Sequence, residues 1–448
     1  MSFRVLLFGL TLLVPFLTSA QTDSVNNQKL NVFGKVVARS MGTSNRGDLE
    51  GFYITVSHAN VGFEYKATPW LKLTATGYGL VHFGLSGLKK IDPTTGNGSI
   101  YEENLWSLIW FEGDTKFALP ELKADAQWGN HHLTVGRFLL QSPIINPEPW
   151  PFPTAQQGIR YSYNNQEKGV LLETALINKI SSRFDAQFRS VGDSFGRGAI
   201  GFNENGDLSG YTGNVYSDWL LTLRLKWRVS DLFQVDFWNY YTENVMNNTL
   251  IEPKFTFSNG WSSSAMFIYQ SKINNGGNAD PGLTYLPDDQ SSYLGIRVNK
   301  RVSRNLIQFN FSRIFDQGRL QLTRDWGLEP FYTFQRRTRV EGTQNTTALM
   351  LKWQQDWEND LGQFRWFSSI SRAWLPFPGD YGRSKYRLPS YMHWDFAFKY
   401  SPYSFSRGLS AELYMAYRFL AEDIGTEYRY LINRADFFHA DLIIAYHF

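Results

Sequence analysis

The sequence of 448 residues contains no cysteine. This absence excludes disulfide bonds, thiolate metal sites and cysteine nucleophiles. An excess of one charge is also missing, because 44 basic residues are balanced by 41 acidic ones, and the net charge of +3 is too small to indicate a nucleic-acid partner. Beyond the N-terminus there is no run of about 18 apolar residues, so no transmembrane helix is predicted. The length suits two or three soluble domains or one large β-architecture.

The N-terminus carries a pattern typical of a secretory signal peptide. Arg4 precedes an apolar run from Val5 to Leu17, and small residues occupy positions 18–20. An apolar run of about 13 residues is short for a membrane anchor. We therefore expect cleavage after Ala20, with residues 1–20 as the signal peptide and residues 21–448 as one mature domain outside the cytoplasm.

The C-terminus reads as an amphipathic strand. From Phe438 to Phe448 every second residue is apolar or aromatic, whereas His439, Asp441 and His447 lie between them. A period of two places the two sets on opposite faces of one strand. In a soluble sandwich the apolar face would cover a core. Together with the signal peptide, a strand that ends in Tyr446 and Phe448 is instead typical of the assembly signal read by the barrel-assembly machinery of the bacterial outer membrane.

The same alternation recurs along the chain. Leu71–Phe83, Leu122–Trp128, Leu221–Trp227 and Leu409–Phe419 all place apolar residues on one face and polar or charged residues on the other. One face suits lipid and the other suits water, as the strands of a transmembrane barrel require. The sequence therefore predicts an all-β protein, a transmembrane antiparallel β-barrel with a polar lumen.

The turns give an estimate of the strand number. Outer-membrane barrels join their strands by short periplasmic turns and longer outer loops. Eight short connections stand out, at residues 68–70, 129–131, 164–168, 229–231, 258–260, 302–304, 357–362 and 402–408. With n/2 − 1 turns for n strands, they predict about 18 strands. Sixteen or twenty strands remain alternatives, because the fifth loop near Asn247 is short and Phe331–Val340 could extend a strand. The outer loops are expected at residues 41–58, 84–120, 141–156, 180–215, 245–250, 274–289, 316–345, 376–389 and 421–435.

The third outer loop, residues 141–156, is the candidate for a pore constriction. It contains five prolines, which prevent ladder pairing and stiffen the segment. A barrel of this size leaves an aqueous channel unless a segment folds inward. The residues we expect at the constriction are Pro143, Asn146, Pro147, Glu148, Trp150 and Phe152. The alternative is a rigid loop on the outer surface.

The inward positions of the strands carry more basic than acidic residues. The basic residues expected to line the pore include Lys35, Arg39, Lys72, Lys123, Arg160, Arg224, Lys226 and Arg297. Such a lining would concentrate anionic solutes at low salt, and we expect Arg160, which follows the third loop, to contribute most. The alternative is that these charges pair with acids on neighbouring strands, such as Asp125, Glu173 and Asp236, and cancel.

A family resemblance rests on two stretches. Residues 133–162 contain a strand, the Pro- and Asn-containing loop and an aromatic-rich strand, marked by Val135, Gly136, Gln157 and Gly158. This stretch and the ending from Gly408 to Phe448 resemble the outer-membrane porin D (OprD) family. The resemblance implies a monomeric 18-stranded channel with a basic ladder in its lumen and a narrowing third loop, which passes small solutes that often bear carboxylates. The family's third loop commonly carries an Asp-x-Arg element, which this loop lacks, so the family's substrate preference stays open.

Other functions have weaker support. Gly192–Gly196 fits the Gly-x-Ser-x-Gly pattern of hydrolases but lacks the strand and helix that a nucleophile elbow needs. An outer-membrane hydrolase of the phospholipase or protease type is therefore the alternative function. Asp280, Asp288 and Asp289 could hold calcium, although a solvated loop is the simpler interpretation. A hydrophobic-solute transporter would need a globular plug before the first strand, but only about ten residues lie between Ala20 and Leu30.

We therefore expect an outer-membrane porin for passive diffusion of small polar or anionic solutes, with or without selectivity among them. It would have no enzymatic activity, cofactor or metal. Its partners would be membrane lipids, the barrel-assembly machinery and small solutes, and not nucleic acid.

Overall fold

In a computed structural model, described for residues 29–147, 150–198, 200–403, 408–425 and 427–448, the chain forms a closed antiparallel β-barrel. Eighteen strands make up the barrel, and a short extra strand, β8, pairs with the end of β7. The strands are β1 (Leu30–Asn45), β2 (Phe52–Thr68), β3 (Leu71–Ser86), β4 (Thr115–Trp128), β5 (His131–Phe138), β6 (Ala155–Asn165), β7 (Val170–Ser181), β8 (Phe188–Ser190), β9 (Leu220–Arg228), β10 (Phe233–Thr242), β11 (Met246–Thr256), β12 (Trp261–Lys272), β13 (Gln290–Val302), β14 (Asn305–Ile314), β15 (Thr346–Asn359), β16 (Gly362–Trp374), β17 (Tyr391–Pro402), β18 (Leu409–Leu420) and β19 (Phe437–His447). The predicted all-β class and the predicted 18 barrel strands are confirmed.

Three predicted features lie wholly or partly outside the described residues. They are the signal peptide, residues 1–20, Glu148 of the third loop, and residues 404–407 of the predicted turn at 402–408. In the described ranges, no helix has the length and apolar character needed to cross a membrane.

The eight predicted short connections lie between consecutive strands at one end of the barrel, as expected. The other end carries loop 1 (46–51), loop 2 (87–114), loop 3 (139–154), loop 4 (182–219), loop 5 (243–245), loop 6 (273–289), loop 7 (315–345), loop 8 (375–390) and loop 9 (421–436). The predictions for loop 1, residues 41–58, and loop 5, residues 245–250, were wrong, because β1 and β2 continue into the first and β11 begins at Met246 in the second. Met41, Ile54 and Val56 of β1 and β2 face inward and are fully buried under loop 2, whereas small or polar residues such as Ser40, Gly42 and Thr55 face outward, so the expected pattern of apolar-out and polar-in is lost.

The outer face of the barrel is a belt of exposed apolar side chains. Phe63, Leu122, Ile159, Phe309 and Leu351 on five different strands are all between 48% and 52% exposed. Exposed aromatic residues flank this belt at both ends, including Trp70, Trp128, Trp227, Trp261 and Trp353 near the short turns and Tyr53, Trp374, Phe419 and Phe438 near the loops. An apolar belt between two aromatic girdles is the surface that a bilayer requires.

Two apolar clusters fill part of the barrel interior at the loop end. The larger one packs residues of loops 3, 4, 6 and 7, such as Ile145, Phe195, Leu286 and Trp326, against the inner faces of β7 and β9–β16. The smaller one packs loop 2 and Phe152 against the inner faces of β1–β3. The polar part of the lumen at this end is therefore bounded by β17–β19, β1 and the inner surfaces of the folded-in loops.

The barrel closes at the seam between β1 and β19. Val36 lies opposite Tyr446 in this pairing, and Gly34 exchanges two backbone hydrogen bonds of 3.0 Å with Phe448. A Cβ atom on Gly34 would lie 2.4 Å from the carbonyl oxygen of Asn60 and 2.6 Å from the ring of Phe448. Only glycine fits between these neighbours without a shift of the backbone.

We therefore expect Gly34→Val to weaken the seam by about 1–3 kcal/mol through overpacking. The protein should lose heat-modifiable migration in denaturing gels at a lower temperature than the wild type. Gly77→Val is the matched control, because a Cβ at Gly77 of β3 meets no atom within 4 Å. Equal melting of the two variants would show that the close contact at Gly34 does not limit closure.

Candidate functional site

Loop 3 folds into the barrel and is held there by loop 7. The Asn146 side chain accepts a hydrogen bond from the backbone N–H of Leu328 (3.1 Å) and donates one to its carbonyl (3.2 Å). The Asn146 N–H donates to the carbonyl of Trp326 (3.1 Å), and Thr154 donates to the carbonyl of Asp325 (3.2 Å). Loop 3 is thus tied to residues 325–328 at two points, and the geometry does not fit a loop on the outer surface.

The other predicted constriction residues divide into packed and polar positions. Pro143 accepts a hydrogen bond from Asn146 on its carbonyl (3.4 Å), and Pro147 directly follows Asn146. Phe152 is buried in the smaller apolar cluster, with its ring 5.7 Å from that of Phe111. Trp150 lies at the edge of that cluster and is only partly buried.

Three guanidinium groups surround the Trp150 ring. Their carbons lie 4.8 Å (Arg39), 5.1 Å (Arg183) and 5.6 Å (Arg337) from the ring centroid. These arginines come from β1, loop 4 and loop 7, so Trp150 joins three separate parts of the interior. Cation–π attraction of this kind contributes about 0.5–2 kcal/mol per pair when water is partly excluded.

Loop 7 crosses the inner wall through three consecutive residues, 335–337, which we call the strap. Gln335 donates to Ser369 of β16 (2.8 Å) and to Asp395 of β17 (3.2 Å). Arg336 forms an ion pair with Glu412 of β18. Gln335 and Arg336 of the strap therefore bind three adjacent strands, β16, β17 and β18.

The third residue of the strap reaches the seam. Arg337 donates from Nε to Nε2 of His439 (2.8 Å) and from Nη2 to Asp441 (2.9 Å), both on β19. Asp441 is also paired with Arg39 of β1 at 2.5 Å, so one buried carboxylate holds two arginines across the β1–β19 seam. Burial lowers the pKa of Arg337, and the nearby Asp441 opposes this shift.

Backbone contacts fix the strap from the other side. The carbonyl oxygen of Arg337 accepts hydrogen bonds from the Tyr101 hydroxyl of loop 2 (3.1 Å) and from the Arg418 guanidinium of β18. Tyr101 also donates to the carbonyl of Asn433 in loop 9 (2.8 Å). Loops 2, 7 and 9 therefore meet at the Tyr101 hydroxyl beside the seam.

An arginine-lined cavity of about 310 Å³, which we call the arginine cavity, opens above the strap. Its wall includes residues of loops 2, 3, 4, 7, 8 and 9 together with Arg418 of β18. The arginines in the wall are Arg183, Arg197, Arg324, Arg336, Arg337, Arg339, Arg418 and Arg434. In the described part of the wall the one carboxylate is Glu103, and burial raises its pKa to about 7.

Most of the predicted pore-lining basic residues are in ion pairs with acids of the strands. Lys72 pairs with Glu64 (2.8 Å), Lys123 with Glu121 (3.2 Å), Arg160 with Glu173 and Arg224 with Asp236 (2.6 Å), and Arg39 with Asp441 as described. Arg297 donates instead to Asn310 (2.7 Å), and Lys35 and Lys226 lie on the inward parity of β1 and β9. These pairs favour the alternative in which the strand charges largely cancel, and they weaken the expectation that Arg160 dominates.

The residues that sequence reasoning missed are those of loop 7. Phe331–Val340, considered as a strand extension, form no strand, and they lie inside the barrel with the strap in their middle. A signal was present in the sequence, because Trp326, Phe331 and Tyr332 are too apolar for a solvated loop and are all nearly fully buried.

The hydrolase and calcium alternatives find no geometric support. Ser194 of the Gly-x-Ser-x-Gly string is buried, donates to the carbonyl of Val191 (2.7 Å) and accepts from the Trp326 indole (2.8 Å). Asp288 is 3.3 Å from Arg319, and Asp289 is 2.5 Å from Lys272. Each of these groups is thus engaged by protein partners.

Comparison with solved structures shows which proteins share this architecture. Acinetobacter baumannii OccAB3 aligns with a TM-score of 0.70 at 11% identity, over 94% of this chain and 99% of that one. Pseudomonas aeruginosa OccK9 (OpdG) gives 0.68 at 12%, over 93% and 98%, and A. baumannii OccAB4 gives 0.67 at 12%, over 94% and 99%. These structures are OprD-family porins, so the resemblance predicted from sequence is confirmed for the fold. No protein-family model and no curated protein matches the sequence.

Proposed function

We propose that this chain is an outer-membrane porin through which small polar or anionic solutes diffuse passively. The observation that carries the proposal is a closed 18-stranded barrel with an apolar outer belt and a charged inner face. A barrel of this size holds an aqueous passage, and here the folded-in loops narrow it without removing its polar lining. The fold shared with OprD-family porins supports the same function.

The proposed location is the bacterial outer membrane, reached after removal of a signal peptide. Membrane lipids would cover the outer belt. The barrel-assembly machinery would read the C-terminal strand through Tyr446 and Phe448, which lie at the seam and whose ring centroids are 6.4 Å apart.

The proposed constriction combines loop 3 with the strap. Trp150 contacts Arg337 of the strap and Arg39 of the wall, so loop 3 and the strap together form one ledge that would narrow the passage. The arginine cavity above this point, rather than the mostly paired strand residues, would supply the positive potential that attracts anions. Added salt should screen that attraction.

The proposal is tested by adding the purified protein to a planar lipid bilayer. We expect discrete, uniform current steps, because each inserted barrel adds one water-filled conductor. Protein heat-denatured before addition is the control. Folded, heat-modifiable protein that inserts without producing current steps would contradict a porin function.

A further inference from the structure

Charged residues are distributed unequally between the two faces of the barrel wall. Across the barrel strands that the structure describes, alternation and register place every Asp and Glu on an inward position. These residues are Glu64, Glu121, Asp125, Glu173, Asp236, Glu252, Asp356, Glu358, Asp395, Glu412 and Asp441. The outward face carries basic residues instead, so positive charge at the lipid surface has no acidic counterpart on the strands.

Most of these outward basic residues lie at the loop end of the barrel. Arg137 in β5, Lys179 in β7, Arg313 in β14 and Arg372 in β16 are each among the last three residues of a strand that runs from the short turns to the loops. Lys300 of β13 lies near the short turns. The outward positive charge is therefore concentrated at the membrane leaflet on the loop side.

Arg313 and Arg372 flank the loop end of β15, and we call them the first outward pair. Arg313 lies opposite Thr347 of β15, which in turn lies opposite the exposed Trp374 of β16. Arg372 lies opposite Leu349, two positions further along β15. Two strand spacings, about 10 Å, separate the two backbones across the sheet. Both side chains can therefore reach one bulky headgroup, but a single small anion would span them poorly.

Neutral groups hold both arginines of the first outward pair. Arg313 donates to the Thr347 hydroxyl (2.7 Å) and to the Asn345 side-chain oxygen (2.5 Å). Arg372 donates to the carbonyl of Ala421 (2.8 Å), and its guanidinium carbon lies 5.4 Å from the centroid of its neighbour Trp374. These oxygens satisfy donors but carry no net charge, so both positive charges stay available to a ligand.

Arg137 and Lys179 repeat the arrangement around β6, and we call them the second outward pair. Both lie opposite Gln157, so the three residues form one row across β5, β6 and β7. Arg137 donates to the Gln157 side chain (3.2 Å) and to the carbonyl of Leu119 (3.4 Å), and Lys179 is exposed. Among the residues that the structure describes, no carboxylate forms an ion pair with a member of either pair.

We infer that each outward pair binds the headgroup of a lipid that carries two phosphates. A basic residue near an anionic membrane surface is attracted to it, and guanidinium groups match phosphate oxygens with paired N–H bonds. Leu351 and Ile370, directly below the first pair in the sheet, are 52% and 45% exposed and would contact the acyl chains. Contact at both ends of the molecule favours a lipid over free phosphate. The inference rests on the proposed membrane location and is independent of solute passage.

The test is native mass spectrometry of the folded protein, released from an uncharged detergent and titrated with bisphosphorylated lipid A. We expect two lipid molecules to remain bound per barrel, one for each outward pair. Dephosphorylated lipid A has the same acyl chains without the phosphate charges, and it should bind about 30-fold more weakly, equivalent to about 2 kcal/mol. Inorganic phosphate in tenfold excess over lipid A should not displace it.

The double variant Arg313→Gln/Arg372→Gln should retain one lipid A molecule, and so should Arg137→Gln/Lys179→Gln. The matched control is Arg301→Gln/Arg365→Gln, which removes two charges from inward positions of β13 and β16 near the short turns. This control should still retain two molecules, since its net charge changes but its lipid-facing surface does not. Heat-modifiable migration shows that each variant is folded.

Three results would overturn the inference. They are equal binding of phosphorylated and dephosphorylated lipid A, displacement of lipid A by inorganic phosphate, and an equal loss of bound lipid in the control and in the outward variants. Each of these results concerns the lipid surface alone. Current steps in a planar bilayer test the porin function separately, so failure of one proposal is distinguishable from failure of the other.

Discussion

Replacement of residues 335–337 by Gly-Ser-Gly is expected to raise the single-channel conductance severalfold. The strap fixes loop 7 against β16–β19 by the side-chain contacts of Gln335, Arg336 and Arg337. Without these contacts the flexible segment would no longer hold a fixed position in the passage. Single-channel recording in a planar bilayer measures the change directly.

The matched control replaces residues 280–282 of loop 6, which are exposed, by Ser-Gly-Ser. This variant also places a flexible tripeptide in a loop, but far from the wall contacts of the strap. Its conductance should equal that of the wild type. If the strap variant inserts, remains heat-modifiable and conducts like the wild type, the constriction does not depend on loop 7.

Trp150→Ala is expected to raise the single-channel conductance as well. Its anion preference should change little. The substitution removes a large ring from the narrow region while it leaves all three neighbouring arginines in place. The measurement is single-channel conductance together with reversal potential in a salt gradient.

Trp374→Ala is the control for residue type, since Trp374 lies at the loop end of β16 but faces outward and is 43% exposed. It should change neither the conductance nor the reversal potential. Wild-type conductance in Trp150→Ala would place the narrowest point elsewhere and leave the barrel assignment unaffected.

The strands and turns were predictable because each barrel strand meets lipid on one face and water on the other. Leu221–Trp227 shows this clearly, since its odd residues are exposed to the outside and Arg224 points inward. The pattern failed only where a loop covers the inner face. At Met41 and Ile54 the inward residue is apolar and outward neighbours such as Ser40, Gly42 and Thr55 are small or polar, so the pattern expected of a barrel strand is lost.

The functional interior was less predictable because it depends on contacts between distant residues. Arg337 and Asp441 are 104 positions apart, and nothing local in either segment indicates that they meet. The period of two also assigns a residue to the inward or outward face of a strand, but it does not identify the residue with which its side chain pairs. Arg160 was placed on the inward face, but its pairing with Glu173 follows from strand register, which the sequence does not display.

The central claim is that the protein forms a water-filled channel in which the arginine cavity provides a positive potential. The most direct test is the reversal potential of the wild-type protein in a KCl gradient at low ionic strength. We expect a reversal potential whose sign shows selectivity for chloride over potassium, and which moves toward zero as added salt screens the arginine cavity. A reversal potential whose sign shows selectivity for potassium would contradict a positive potential in the arginine cavity.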